Sequence, residues 1–232
     1  MNTIEYKNIP NGQYMESVVS FIERYLPSFT LNAPIRETDN EWFLNDNLEI
    51  FFNHESKCTS DTEEEYPFFF KAEPKDQVEK GKPDLGAIIS IKSQRNYTPF
   101  FVIDCKRLPT PRSTEEERKE YVTGHKGGIT RFKRNEHGVN LPINAMIGYI
   151  EEHDFSYWHN EINSWILSLN GTIEKGKNAS KDITWDAAEI LEFIYQKDIA
   201  RLHSSHPRVN SISQNFVTLV HFWVKVKLDK TV

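Results

Sequence analysis

Apolar residues recur along the chain with two periods, and the switches between them outline the elements. Val18, Val19, Ile22, Tyr25 and Leu26 fall at helical spacing within residues 14–26, and Pro27 marks a stop. A second helix is expected over 41–53, with Trp42, Leu44, Leu48, Phe51 and Phe52 as its apolar bulk. Period two follows. Residues 66–72 read as a strand, 78–82 as a turn, and 82–108 as two strands joined by a polar turn at 94–97, which makes a three-stranded meander. Pro109 breaks the last of these, and a capping pattern at Ser113-Thr114-Glu115-Glu116 opens a helix. Residues 144–150 read as another strand. Asp154 can cap a helix carrying Trp158, Ile162, Trp165, Ile166 and Leu169 at core spacing, and Asn170-Gly171 ends it. After a polar linker at 172–182, a helix is expected at 185–195, a strand at 199–203 and a long strand at 215–227 with Phe216, Val220, Phe222, Val224 and Val226.

This order predicts a single α/β domain over 1–232, with a central mixed β-sheet of about four to six strands and helices on both faces. A C-terminal extension of helix and strand, about 172–232, adds to the sheet or forms a specificity or oligomerisation element.

Within 100–106 the alternation puts Val102, Asp104 and Lys106 on one face and Phe101, Ile103 and Cys105 on the other. If 90–93 pair back onto 99–102, Asp84 comes roughly opposite Asp104 or Lys106, and facing residues on antiparallel strands lie about 4.5 to 5.5 Å apart. Two carboxylates that close repel unless a cation sits between them. Hard oxygen ligands with water completing the shell suit Mg²⁺, with Mn²⁺ as a substitute. Such a site suits attack of metal-activated water on a phosphodiester, with Lys106 orienting or deprotonating the water or offsetting phosphate charge. The bland alternative makes Asp84 a turn cap and leaves Asp104 and Lys106 solvated at a strand end.

Pro83-Asp84, a strand, and then Asp104-Cys105-Lys106 resemble the signature of the PD-(D/E)XK nuclease superfamily, over about residues 39–150, with Asp84 and Asp104 at its acidic positions and Asp104 standing for the more usual Glu. The resemblance implies a restriction-endonuclease-like core and a Mg²⁺-dependent endonuclease acting on DNA in prokaryotic restriction, antiviral defence or repair. It implies Asp84 and Asp104 as metal ligands, the backbone carbonyl of Cys105 as a further ligand, and Lys106 positioning the water. It also implies an assisting acid on the helix before the site strands, for which Glu41 is the first choice and Glu49, just over two turns on, the second. Glu41 equally fits a local capping box, Thr38-Asp39-Asn40-Glu41, and both readings stand. A catalytically inactive nucleic-acid-binding or complex-forming subunit with the same fold is the rival, and a protein-interaction domain a second.

The net charge of −6 and the pI of about 5.8 are unusual for a chain that must hold nucleic acid unaided, because phosphates select Lys and Arg. Binding therefore falls to a local patch or to a partner subunit. Residues 118–134 offer a patch: Arg118, Lys119, Lys126, Arg131, Lys133 and Arg134 stand against Glu120 alone, a local balance of +5. Glycines 124, 127 and 128 before a short helix let backbone N–H groups approach an anion, so Lys126, Arg131, Lys133 and Arg134 are candidate nucleic-acid contacts. The alternative is a flexible turn leading into a solvated helix. Cys58 and Cys105 are the only cysteines, neither in a C-x-x-C pair, and no apolar run resembles a leader or a membrane span. A cytoplasmic, reducing setting is the expectation. His203, His206 and His221 lack the paired cysteines of a neat zinc site and read as structural or surface residues. Cleaving two strands usually needs two sites, which suggests a homodimer.

Overall fold

A computed structural model of the protein describes residues 11–32, 35–36, 40–58, 66–74, 82–90, 97–110, 114–124, 126–212, 214–226 and 228–229. The turns expected at 78–82 and 94–97, and the Thr38 and Ser113 ends of the two capping patterns, lie wholly or partly outside these residues.

Helix α1 (Gly12–Asn32) buries Val18, Val19, Ile22 and Leu26 as its periodicity requires, but it runs through Pro27 instead of stopping there. Losing a helical hydrogen bond at proline costs about 3 kcal/mol. Continuing the helix buries Phe29 beside Leu26, and each such side chain contributes about 1.5–3 kcal/mol. Packing thus outweighs the local preference. Helix α2 (Glu41–Cys58) starts where expected and runs longer than 41–53. Its cap is Asn40, whose Oδ1 accepts from the Phe43 N–H at 2.8 Å.

The meander forms from β2 (Phe68–Ala72), β3 (Leu85–Ile89) and β4 (Phe101–Leu108), with β5 (Ile143–Ile150) parallel to β4. Helix α2 covers the outer edge of β2. The Asn53 amide exchanges hydrogen bonds with the Phe70 backbone at 2.8 and 2.9 Å, and Glu49 Oε2 accepts from the Ala72 N–H at 2.7 Å. Backbone groups that would otherwise invite another strand are thereby satisfied. The β3–β4 ladder pairs Leu85 with Ile103 and Gly86 with Val102, so Val102 faces Gly86 and not the 90–93 segment.

Between β4 and β5 the chain makes two short helices, α3 (Glu115–Arg118) and α4 (Gly128–Lys133). The first is capped reciprocally by Thr114 and Glu117, one residue later than the sequence pattern placed it. Helix α5 (Phe155–Leu169) is capped by Asp154, which accepts from the Tyr157 N–H at 2.7 Å. The short hairpin β6 (Ile173–Glu174) and β7 (Ile183–Thr184) follows.

Residues 185–195 are not a helix. Asp186 and Glu189 close a capping box around one 3₁₀ turn, Ala187–Glu189, and Asn163 of α5 then binds the Leu191 backbone on both sides. The chain is drawn straight and continues as β8 (Glu192–Gln196). Strands β9 (Ile199–Pro207) and β10 (Phe216–Lys225) complete one seven-stranded sheet in the order β2-β3-β4-β5-β10-β9-β8. The expected count of four to six is too low because β10 inserts in parallel beside β5, along Thr218–Lys225. The region beyond 172 is therefore built into the sheet. A separate two-residue ladder pairs β1 (Ile35–Arg36) with β11 (Leu228–Asp229).

Two hydrophobic clusters cover the two faces of this sheet. One joins α1 and α2 to Phe101, Ile103, Cys105 and Tyr149; the other joins α5, Tyr121, Ile129 and Phe132 to Val102, Met146 and Trp223. Every residue of β4 and of β5 is buried. Trp158 and Trp165 belong to the second cluster, as their spacing suggested. Among the described residues no helix is long and apolar enough to cross a membrane.

Candidate functional site

One step beyond Leu85–Ile103 in the β3–β4 register, Asp84 stands opposite Asp104. The Cys105 N–H donates to Asp84 Oδ2 at 2.7 Å, which fixes that carboxylate against β4. Asp104 is wholly buried. So is nearly all of Lys106, whose ammonium donates to Glu41 Oε1 at 3.0 Å and to the Cys105 carbonyl at 2.8 Å, and lies 3.8 Å from Asp104 Oδ2. The second oxygen of Glu41 accepts from the Arg107 N–H at 3.3 Å. The start of α2 is thus tied to the end of β4, with Glu41 engaged by the Lys106 ammonium and the Arg107 backbone. Glu49 is engaged by β2 and takes no part. The Cys105 carbonyl, expected to face a metal, is occupied by Lys106.

From the other side α4 leans over Asp104. Arg131 Nη1 lies 3.5 Å and His137 Nδ1 3.6 Å from Asp104 Oδ1. Gly128 permits the approach, since a Cβ there would come within 2.8 Å of Asp104 Oδ2 and 2.3 Å of Met146 Cε. His137 went unnoticed in the sequence. It follows α4 by four positions, past Asn135 in a left-handed conformation at φ 55°, and no spacing rule indicates that the chain doubles back to β4 there.

The charges divide the two acids. Burial, and then the neighbouring charge of Asp104, push Asp84 well above the usual carboxylate range. Burial alone would raise Asp104 too, but Lys106, His137 and Arg131 bring it below that range. Lys106 keeps its proton despite burial, because Asp104, Glu41 and Asp84 surround it. Burial pushes His137 down to about 4, against the pull of Asp104, so the ring is neutral at pH 7 and its contact with Asp104 is not an ion pair there.

With Asp84 ionised, both oxygens of Asp104 and both ring nitrogens of His137 are buried without a hydrogen-bond partner among the described residues; the proton that Asp84 holds at its raised pKa can be shared with Asp104. Such orphaned groups are rare in folded proteins, and an absent ion or water is one of their few explanations. A divalent cation fits this donor set: two facing carboxylates, one of them with both oxygens unengaged. Among the described residues no group of three or more His, Cys, Asp and Glu side chains is arranged to hold a metal, so water would have to complete the shell, as suits Mg²⁺.

The expected basic patch divides. Lys126 is exposed, and Arg131 reaches Asp104. Lys133 and Arg134 are turned inward. Lys133 pairs with the buried Glu189 and lies 4.1 Å from the Trp185 ring centre. Arg134 binds Glu174 at 3.1 Å and the carbonyls of Lys175 and Lys181. The glycine-rich loop is likewise occupied from within. Glu174 accepts from Thr123 Oγ1 at 2.5 Å, from the Gly124 N–H at 3.4 Å, from Thr130 Oγ1 at 3.2 Å and from Trp185 Nε1 at 3.1 Å. Donors expected to meet phosphate hold a carboxylate of this chain, a correction that only the β6–β7 hairpin could reveal. No protein-family model, no curated protein and no solved structure matches the chain.

Proposed function

We propose that the protein is a metal-dependent nuclease that hydrolyses DNA phosphodiester bonds, with a restriction-endonuclease-like core running from α2 to β5. The order helix, antiparallel meander, helical connection and a strand parallel to the last one agrees with what the PD-(D/E)XK resemblance implies. The observation that carries the reading is Asp104: a wholly buried carboxylate opposite Asp84, with three basic side chains standing 3.5–3.8 Å away and none of them hydrogen-bonded to it.

Asp84 and Asp104 would hold Mg²⁺ or Mn²⁺, which when bound would polarise a phosphoryl oxygen and lower the pKa of a water. Lys106 is buried among Asp104, Glu41 and Asp84, whose charges favour its ammonium form. It offsets charge on the phosphate, and Glu41 holds it in place. Arg131, half-buried beside Asp104, offers a fork-shaped donor to a phosphate oxygen. Cleavage of both strands would draw on two copies of the site, hence a homodimer.

Incubating linear, circular and single-stranded DNA with the protein in Mg²⁺ or Mn²⁺, beside the Asp104→Asn variant, tests this. Loss of a metal ligand should lower cleavage by more than the about 10- to 100-fold typical of an outer-shell partner. Equal cleavage by both proteins would overturn the assignment. The net charge of −6 and the inward turn of Lys133 and Arg134 favour a second reading, a non-catalytic DNA-binding or complex-forming subunit. DNA retention without any cleavage would select it.

A further inference from the structure

A second group of buried polar side chains lies on the same face of the sheet and has no part in the proposed reaction. Trp223 Nε1 donates to the Tyr121 hydroxyl at 2.9 Å, and that hydroxyl meets His221 Nδ1 at 2.8 Å. His221 Nε2 meets Ser204 Oγ at 2.8 Å, and Ser204 Oγ meets His206 Nε2 at 2.7 Å. His206 Nδ1 meets Glu189 Oε2 at 2.7 Å, and the same oxygen accepts from Lys133. All seven residues are buried away from bulk water, so an unmade bond among them is costly.

The two ends set the direction of every bond between them. Trp223 can only donate, so the Tyr121 hydroxyl accepts there, and His221 Nδ1 is the acceptor within reach of its own hydrogen. His221 must then carry its proton on Nε2 and donate to Ser204. Ser204 gives its hydrogen to His206 Nε2, and His206 carries its proton on Nδ1 and donates to Glu189. The Glu189 carboxylate, which also receives the Lys133 ammonium, can only accept. Each inner group donates once and accepts once, an arrangement in which each bond polarises the next.

Ser204, His206 and Glu189 stand in the order of a nucleophile, its base and an orienting acid. Ser204 is nevertheless only 2% exposed, and its oxygen is shared with a second ring, so no substrate can reach it.

A proton has no place in this chain. On His206 Nε2 it would turn an acceptor into a donor, leaving Ser204 to accept from both rings with its own hydrogen unpaired. On His221 Nδ1 it would set the same conflict against Tyr121. His206 faces Glu189 and Ser204, with Lys133 beyond the carboxylate and the Trp185 ring centre 6.3 Å away; His221 faces Tyr121 and Ser204, with the His203 and His206 rings on the neighbouring strand. Burial holds both rings below the ordinary histidine range, His221 well below it.

Tyr121 and Lys133 bracket the segment that carries Gly128 and Arg131 to Asp104. We infer that the seven-member chain is a proton-gated latch: it fixes residues 121–133 on β9 and β10 while both rings are neutral, and loosens them when either ring takes up a proton. This stands apart from the proposed nuclease activity. Its consequence is that the strands beyond residue 172 set the position of Arg131.

Nitrogen-15 NMR of the imidazoles in the unaltered protein reads the tautomers directly. His221 should carry its proton on Nε2 and His206 on Nδ1, both neutral at about pH 7. Amide exchange within 121–133, corrected for intrinsic rate, should quicken by about tenfold or more from about pH 7.5 to pH 5, while α1 changes far less. In Ser204→Ala, where no hydroxyl opposes the proton, His206 should titrate at a higher pH than in the parent. Opposite tautomers, a charged ring at neutral pH, or exchange in 121–133 that ignores pH would each overturn the inference, and the first two require no variant to fold.

Discussion

Two sets of buried polar side chains meet across the 121–137 segment and differ in one respect. In the chain from Trp223 to Lys133 every linking atom has a hydrogen-bond partner, whereas around Asp104 three basic groups stand 3.5–3.8 Å off and none of them hydrogen-bonds either oxygen. A satisfied network rigidifies a core, and an unsatisfied one persists only where something else selects for it. The contrast separates scaffold from candidate site without reference to any other protein.

The sharpest way to break the contrast is to remove the carboxylate that the satisfied network cannot do without. Glu189→Ala leaves Lys133 buried and unpaired and should destabilise the fold by about 3–5 kcal/mol in denaturant unfolding. Ser204→Ala orphans one donor and one acceptor and should cost about 1–3 kcal/mol by the same measurement. The third test needs no mutation. His206 and His221 have folded pKa values below the unfolded value of about 6.5, so the unfolded chain binds more protons in acid. Their contribution is therefore fully present above about pH 6.5 and is lost as pH falls from there toward the folded values, which melting temperatures across that window would register. Smallest of all should be Asp104→Asn, which keeps the shape of the side chain and leaves Glu41 and the Cys105 carbonyl on the Lys106 ammonium. Because Lys106 and Arg131 stand beside Asp104 and help hold its carboxyl below the usual range, losing the charge should lower stability by about 1 kcal/mol in the same measurement. A loss as large as that of Glu189→Ala would erase the distinction.

What the sequence disclosed of these two regions follows from the reach of local rules. Asp84, Asp104 and Lys106 were legible because period-two alternation on a short hairpin fixes which side chains share a face, and neighbouring strands fix how near they lie. Glu41 could be named but not resolved, for its two roles differ only in whether its oxygens turn to its own helix or to a strand 65 positions away. Lys133 and Arg134 misled because a six-residue helix and its cap are too short for a periodicity from which to read a buried side, and their partners Glu189 and Glu174 are 56 and 40 residues distant. The helix expected at 185–195 failed where Asn163 binds the Leu191 backbone, a contact that no local pattern contains. His206, Ser204 and His221 looked like scattered histidines and a serine until β9 paired with β10 and placed all three on one face.

Calorimetric titration of Mg²⁺, repeated with Mn²⁺, into the parent and into Asp104→Asn at neutral pH is the most direct measurement on the Asp84–Asp104 pair. The expected result is saturable binding by the parent and none by the variant, with both proteins folded by circular dichroism. Binding of equal strength in the two, or no binding by the parent, would contradict the view that these facing carboxylates are built to hold a cation.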